Sequence, residues 1–225
     1  RPPAPRLFVT LGAAALVTWT LLRLALWIAT GPEAAGWENV AGIFARGLWF
    51  DSATLAFAMA PWLLASALLP DRWRGAGAMV AMRWACVWLT VALLLFGAVA
   101  EWVFWTEFST RFNFIAVDYL VYTHEVIGNI RESYNLPLIF GGLLAAAAVI
   151  HWLFARTGLP GRWLASPAPE SLRARFAAGA RWLAVMLAVG LALNERQLPA
   201  FGNNFNRELA KDGLWSLFAA FKNNE

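Results

Sequence analysis

The chain is poor in the groups from which active sites and soluble surfaces are built. Its 225 residues include one cysteine, two histidines and two lysines, and only 14% are charged. A single cysteine, Cys86, excludes an intramolecular disulfide, and its place inside an apolar run says nothing of the redox compartment. No Cys/His cluster of zinc spacing occurs, and HExxH, GxSxG and phosphate-loop patterns are all missing. His124 and Glu125 adjoin, so on a helix they diverge by about 100° and do not converge on a metal. His151 lies near the end of an apolar run and reads as a packed or interface histidine. These residues offer no nucleophile–base arrangement and no metal set.

What fills the chain instead is apolar. Hydrophobic residues make up 60%, and the mean hydropathy is +0.55. A soluble domain is typically ~45–50% apolar and ~25% charged. The excess gathers in runs of the length a bilayer requires, ~20 residues for a helix. Leu7–Thr30 is the first, broken only by Arg23 and stopped by Gly31-Pro32. Gly47–Leu69 is the second, closed by Pro70-Asp71; Met79–Ala100, Leu138–Phe154 and Phe176–Leu193 follow. The fold class expected is an all-α polytopic membrane protein with five transmembrane helices and amphipathic interfacial helices on the exterior side. The first run is too long for a signal peptide and lacks a small-residue cleavage site after it.

The basic pI, about 9.8, would suit a nucleic-acid binder, but the arginines cluster in two short connections. That is a topology signal and points away from nucleic acid. Taking the N-terminal tail with the second and fourth connections puts ten arginines against two acids on one side. The other side holds seven basic residues against eleven acids. The arginine-rich side is cytoplasmic, and five crossings then carry residue 225 outside. Tryptophan is abundant, 14 copies, many near run ends, as in an interfacial aromatic belt.

Two exterior segments stand out. In 102–137, Phe108, Phe112, Ile115, Tyr119, Tyr122, Val126 and Ile130 recur every three or four residues, the face of an amphipathic helix lying along the headgroups. Glu107 and Arg111 have the spacing of a pair on that helix. In the tail, 195–225, Pro199 and Gly202 break the chain. Asn203 or Asn204 then caps a short helix through Lys211 with Gly213 as terminator, and a second apolar face follows. Residues 1–194 form the five-helix domain and 195–225 an exterior connector. The chain opens without methionine and ends mid-pattern, so a downstream domain is expected.

Ionisable residues at membrane depth are functional candidates. Arg23 lies seven residues from the end of its run, roughly 10 Å in, and Asp51 about half as deep from the same side. An Arg23–Asp51 pair is within reach. The competing reading has Arg23 snorkelling outward and Asp51 capping its helix.

The stretches ARGLWFD (45–51), EFSTRFNFIAVDYLVYTHEVIGNIRESY (107–134) and NRELAKDGLWSLFAAFKNNE (206–225) resemble lipoteichoic acid synthase-like phosphoglycerol transferases of the alkaline phosphatase/sulfatase superfamily. The resemblance implies five spans followed by an extracytoplasmic catalytic domain in a bacterial cytoplasmic (inner) membrane. It implies transfer of glycerol phosphate from phosphatidylglycerol to an acceptor outside. The Thr nucleophile and the Mn or Mg ion of that family belong to the downstream domain, so no catalytic or metal residue carries over. Thr106, Thr110 and Thr123 are not nucleophiles on this reading. The partners implied are the bilayer, the donor lipid and the chain's own catalytic domain. Arg111, with Arg131 second, is the expected contact to a donor phosphate, because arginine suits phosphate. The alternatives are a phosphoethanolamine transferase membrane domain, or a non-enzymatic scaffold or transporter.

Overall fold

In the computed structural model the described residues are 4–68, 77–121, 128, 130–132, 134–157, 171–193 and 203–223. They form helices, with no strand among them. In chain order these are α1 (Ala4–Thr30), α2 (Pro32–Ala35), α3 (Val40–Leu68), α4 (Gly77–Phe108), α5 (Phe114–Val121), α6 (Leu136–Arg156), α7 (Leu172–Ala192), α8 (Asn204–Leu209) and α9 (Gly213–Asn223). Three stretches are long and apolar enough to cross a membrane: Val9–Thr30 of α1, Trp84–Phe108 of α4 and all of α6. The apolar part of α7 is shorter, Phe176–Val189. The second and fourth connections, Trp73, residues 122–127 with His124, and 194–202 with Pro199 lie outside the described residues.

The long helices pack in the order α7, α3, α1, α4, α6, each against the next. Helix α6 packs chiefly on α4, and Ala147 is its one buried residue among those described. Leu138, Phe140, Leu144 and Leu153 stay exposed, as side chains meant for lipid rather than water do. The main core lies at the end of the bundle where α1 finishes and α3 begins. Leu22, Leu26, Trp27, Ala35, Ile43, Trp105 and Leu209 meet there. Trp27 and Trp105 are thus core residues, while Trp49, Trp102 and Trp152 stay exposed as a belt requires.

Several boundaries differ from those expected. Helix α1 ends where Gly31 turns to φ +85° and its N–H bonds back to the Trp27 and Ile28 carbonyls, a left-handed cap that glycine adopts freely. Helix α3 starts at Val40, seven residues before the apolar run, because nothing between Val40 and Gly47 breaks a helix. Asp51 therefore sits in the third or fourth turn rather than the first and does not cap the helix. Helix α4 continues past Ala100 to Phe108, so 102–108 ends a long helix instead of opening an amphipathic one. The break comes at Ser109, the one described non-glycine residue with positive φ (53°). Helix α5 then restarts under the Asn113 side chain, which accepts from Ile115 N at 2.9 Å. The aromatic face expected of one helix is built from two: Phe104 contacts Phe108 and Phe112, and Phe108 meets Tyr119 edge-on at 6.0 Å. Tyr122 and Val126 of that face lie outside the described residues.

The tail folds back on the bundle. Asn203 caps α8, accepting from Asn206 N at 2.8 Å, and its amide donates to Ala34 O at 2.6 Å. Gly213 opens α9 rather than terminating α8. Helix α8 rests on α1, α2 and α3; α9 rests on α3 and α5.

Candidate functional site

Seven charged side chains gather where the tail meets the bundle. Arg23 comes from α1, Asp51 from α3, Glu101 from α4 and Arg111 from the turn after α4. Glu208, Lys211 and Asp212 come from the tail. All but Lys211 are buried, and Lys211 is nearly so. Charges removed from water persist only with partners, and these partners are specific.

Arg23 and Asp51 form a bidentate pair: Nη1 donates to Oδ2 at 2.7 Å and Nη2 to Oδ1 at 2.6 Å. Two parallel charge-assisted bonds are the strongest geometry open to an arginine. The remaining donors serve the tail, Nε reaching Leu209 O at 2.9 Å and Nη2 reaching Lys211 O at 3.1 Å. Carbonyls at the end of a helix lack partners within it, and a guanidinium supplies them here. The close fit depends on Gly47, since a Cβ there would run into the Arg23 guanidinium.

Asp212 links the tail to α3. Its Oδ1 accepts from Thr54 Oγ1 at 2.7 Å and from Trp215 N at 2.8 Å, so one carboxylate caps α9 and docks it. Glu208 links the tail to the turn after α4. Its Oε2 accepts from Thr110 Oγ1 at 2.8 Å and Arg111 N at 3.3 Å, and its Oε1 from Lys211 Nζ at 2.7 Å.

Arg111 pairs with Glu101, ten residues back, and not with Glu107. The expected i,i+4 pair is lost because the helix ends at Phe108; Glu107 instead accepts from the Tyr134 hydroxyl at 3.0 Å. The Glu101 carboxylate lies so close to Gly213 that a Cβ at 213 would strike it. Burial pushes the Arg111 guanidinium down to about 9, and the charge of Arg23 adds to this. Asp212, Asp51 and Glu208 oppose the shift, and at neutral pH Arg111 remains a cation. Its Nε and Nη2 have no hydrogen-bond partner among the described residues.

Of the residues singled out from the sequence, Arg23, Asp51 and Arg111 meet in this cluster, and Arg131 does not. Arg111 is closed off, only 2% exposed. Arg131 is exposed and lines an open cavity of about 360 Å³ before α6. Glu101, Glu208 and Asp212 were not singled out, although Asp212 stands before a glycine and an apolar face, where caps occur. His151 packs edge-on against Trp84 at 5.0 Å. Among the described residues no group of three or more His, Cys, Asp or Glu is placed to hold a metal ion, so no metal-dependent step is derived for this chain. The ion pairs and caps make the cluster a clamp between the tail and the bundle. Comparison with known proteins adds nothing to this: no family model, curated protein or solved structure matches the chain.

Proposed function

We propose that this chain is the membrane domain of an enzyme of the phosphoglycerol-transferase type. It holds a lipid-processing domain at the outer face of a bacterial cytoplasmic membrane. On this reading α1, α3, α4, α6 and α7 all span, the N-terminus is cytoplasmic and the tail is extracytoplasmic. Helix α3 joins the three apolar spans because it packs directly on α1, and α7 because it packs on α3. The arginine bias of the connections supports the orientation.

The observation that carries the proposal is the clamp. A tail meant only to trail from a membrane needs no buried ion pairs, yet α8 and α9 are fixed to α1, α3 and the turn after α4 through Arg23, Asp212 and Glu208. A rigid connector fixes the height and orientation of whatever follows it. Held at the bilayer surface, a catalytic domain meets lipid headgroups at high effective concentration and in one orientation. Phosphatidylglycerol as donor, and Mn or Mg in the downstream domain, rest on the sequence resemblance.

The test joins genetics to lipid chemistry. The reading frame should continue past the codon for Glu225 into a domain with a Thr nucleophile and a metal set. The full-length protein in vesicles should release diacylglycerol from phosphatidylglycerol. An immediate stop codon, or a full-length protein that cleaves no lipid, would leave a membrane scaffold. Selective cleavage of phosphatidylethanolamine would make it a phosphoethanolamine transferase.

A further inference from the structure

The clamp leaves one arginine edge unused. Arg111 is buried, and its ion pair with Glu101 occupies Nη1. Nε and Nη2 form the two-donor fork along its side, and neither has a hydrogen-bond partner among the described residues. Buried donors are normally matched, by protein groups or by ordered water, because an unmatched one forfeits its hydration.

Two groups of the tail are also incompletely matched. Of the four carboxylates in the clamp, the buried Asp212 is the one that pairs with no cation among the described residues. Both of its hydrogen bonds, from Thr54 Oγ1 and Trp215 N, fall on Oδ1 and leave Oδ2 over. The buried Ser216 hydroxyl has no partner among the described residues. Glu101 brings these groups toward Arg111, since its carboxylate both pairs with Arg111 and abuts Gly213. Gly213 follows Asp212 directly and, three residues before Ser216, shares a face of α9 with it. Of the three carboxylates that oppose loss of the Arg111 charge, Asp212 acts most strongly, yet the two form no ion pair. A polar relationship of that kind across a gap suits a bridging molecule.

The surroundings select its chemistry. Arg23, Arg111 and Lys211 stand against Asp51, Glu101, Glu208 and Asp212, so an anion would add to an excess of negative charge. The N–H fork of Arg111 repels a cation. A water molecule accepts two hydrogen bonds and donates two. It can take both N–H groups and give its protons to Asp212 and Ser216, the near-saturated bonding that buried waters show. We propose that a single buried water bridges the free edge of Arg111 to the Asp212 carboxylate and the Ser216 hydroxyl, completing the joint between the turn after α4 and the tail. This seat stands apart from any transferase activity.

A density map of the full-length protein in nanodiscs, fine enough to show ordered solvent, tests it directly. One peak is expected within about 3.2 Å of Arg111 Nε or Nη2 and of an Asp212 oxygen. A direct Arg111–Asp212 contact, or no peak, would overturn the proposal. Nitrogen-15 spectra of the arginine Nε–H groups add a solution readout, with the Arg111 signal identified by its loss in Arg111→Lys. That signal should show a cross-peak to water, lost in Ser216→Val, whose methyl groups fill the seat, and weakened in the gentler Ser216→Ala. A cross-peak unchanged in Ser216→Ala would rule out the seat. Raising chloride or inorganic phosphate should leave the signal in place, and a saturable shift would identify a bound anion instead of water.

Discussion

Arg23 donates through Nε to the carbonyl of Leu209, 186 residues further along the chain, while its other edge grips Asp51. One guanidinium thus joins the first helix, the third and the tail. Removing Arg23 leaves Asp51 buried without its partner, and removing Asp51 does the same to Arg23. Each single change to alanine should cost about 3–5 kcal/mol. Arg23→Met with Asp51→Leu should recover much of that, because no charge is then stranded. Thermal unfolding of the four proteins in detergent checks this, and two harmless single substitutions would show that the pair does not matter. Arg23→Met should also expose the tail to protease, even in the double variant, because the Leu209 and Lys211 carbonyls lose their donor.

The approach of Gly213 to Glu101 makes a sharper prediction. A methyl group at 213 meets the carboxylate, so Gly213→Ala should destabilise by about 1–3 kcal/mol, the range for overpacking a filled site. Gly97→Ala is the control: its Cβ meets nothing within 4 Å, and it lies inside α4. There the better helix propensity of alanine should stabilise by up to about 1 kcal/mol. Equal effects of the two on unfolding would contradict the packing at 213.

The two arginines first considered for headgroup contact should separate cleanly. Arg111→Gln strands Glu101 in a buried cluster and should lower the amount of folded protein in the membrane. Arg131→Gln, on an exposed side chain, should leave folding within about 0.5 kcal/mol of the parent. Membrane yield and melting temperature of both variants decide the matter, and a stable Arg111→Gln protein would show that the Glu101 pair is dispensable.

Tyr134 supplies a pH probe. Its hydrogen bond to the Glu107 carboxylate, then burial, then the Glu107 charge, hold the phenol above its ordinary value. A raised folded value means that this contribution is fully present below the ordinary tyrosine pKa of about 10. It is lost as pH rises through the folded value. Near-ultraviolet titration of phenolate should therefore show one tyrosine ionising late, and Glu107→Ala should bring it back. A titration unchanged by Glu107→Ala would mean that the bond does not form.

The sequence made some of this legible and hid the rest for physical reasons. An Arg23–Asp51 pair was one of two readings open from the sequence, because each residue interrupts an apolar run toward the same side, within an arginine's reach of the other, and few partners exist there. The kink at Ser109 was not, since neither glycine nor proline marks it and an apolar period runs through it. Once the helix breaks, Arg111 turns toward Glu101, a contact that no helical spacing encodes. The amphipathic face of the tail was visible, but an apolar face does not name its partner. Docking through Glu208 and Asp212 depends on side chains from helices more than a hundred residues away in some cases. Arg131 could be named from the sequence, whereas the cavity it lines depends on how residues 134–137 enter α6.

The long reach from Arg23 to Leu209 also sets a schedule for biogenesis. At 5–20 residues per second, a ribosome needs roughly 10–40 s to travel the 186 residues between them. Through that interval the first helix carries an arginine whose final acceptors have not been made. Asp51 follows only 28 residues behind and can neutralise it within seconds. The early pair is then a holding arrangement during insertion, and arrival of the tail is the event that closes the assembly. A ribosome stalled before Leu209 would leave a membrane-inserted chain with its first helix already matched but the end of the bundle that receives the tail still open.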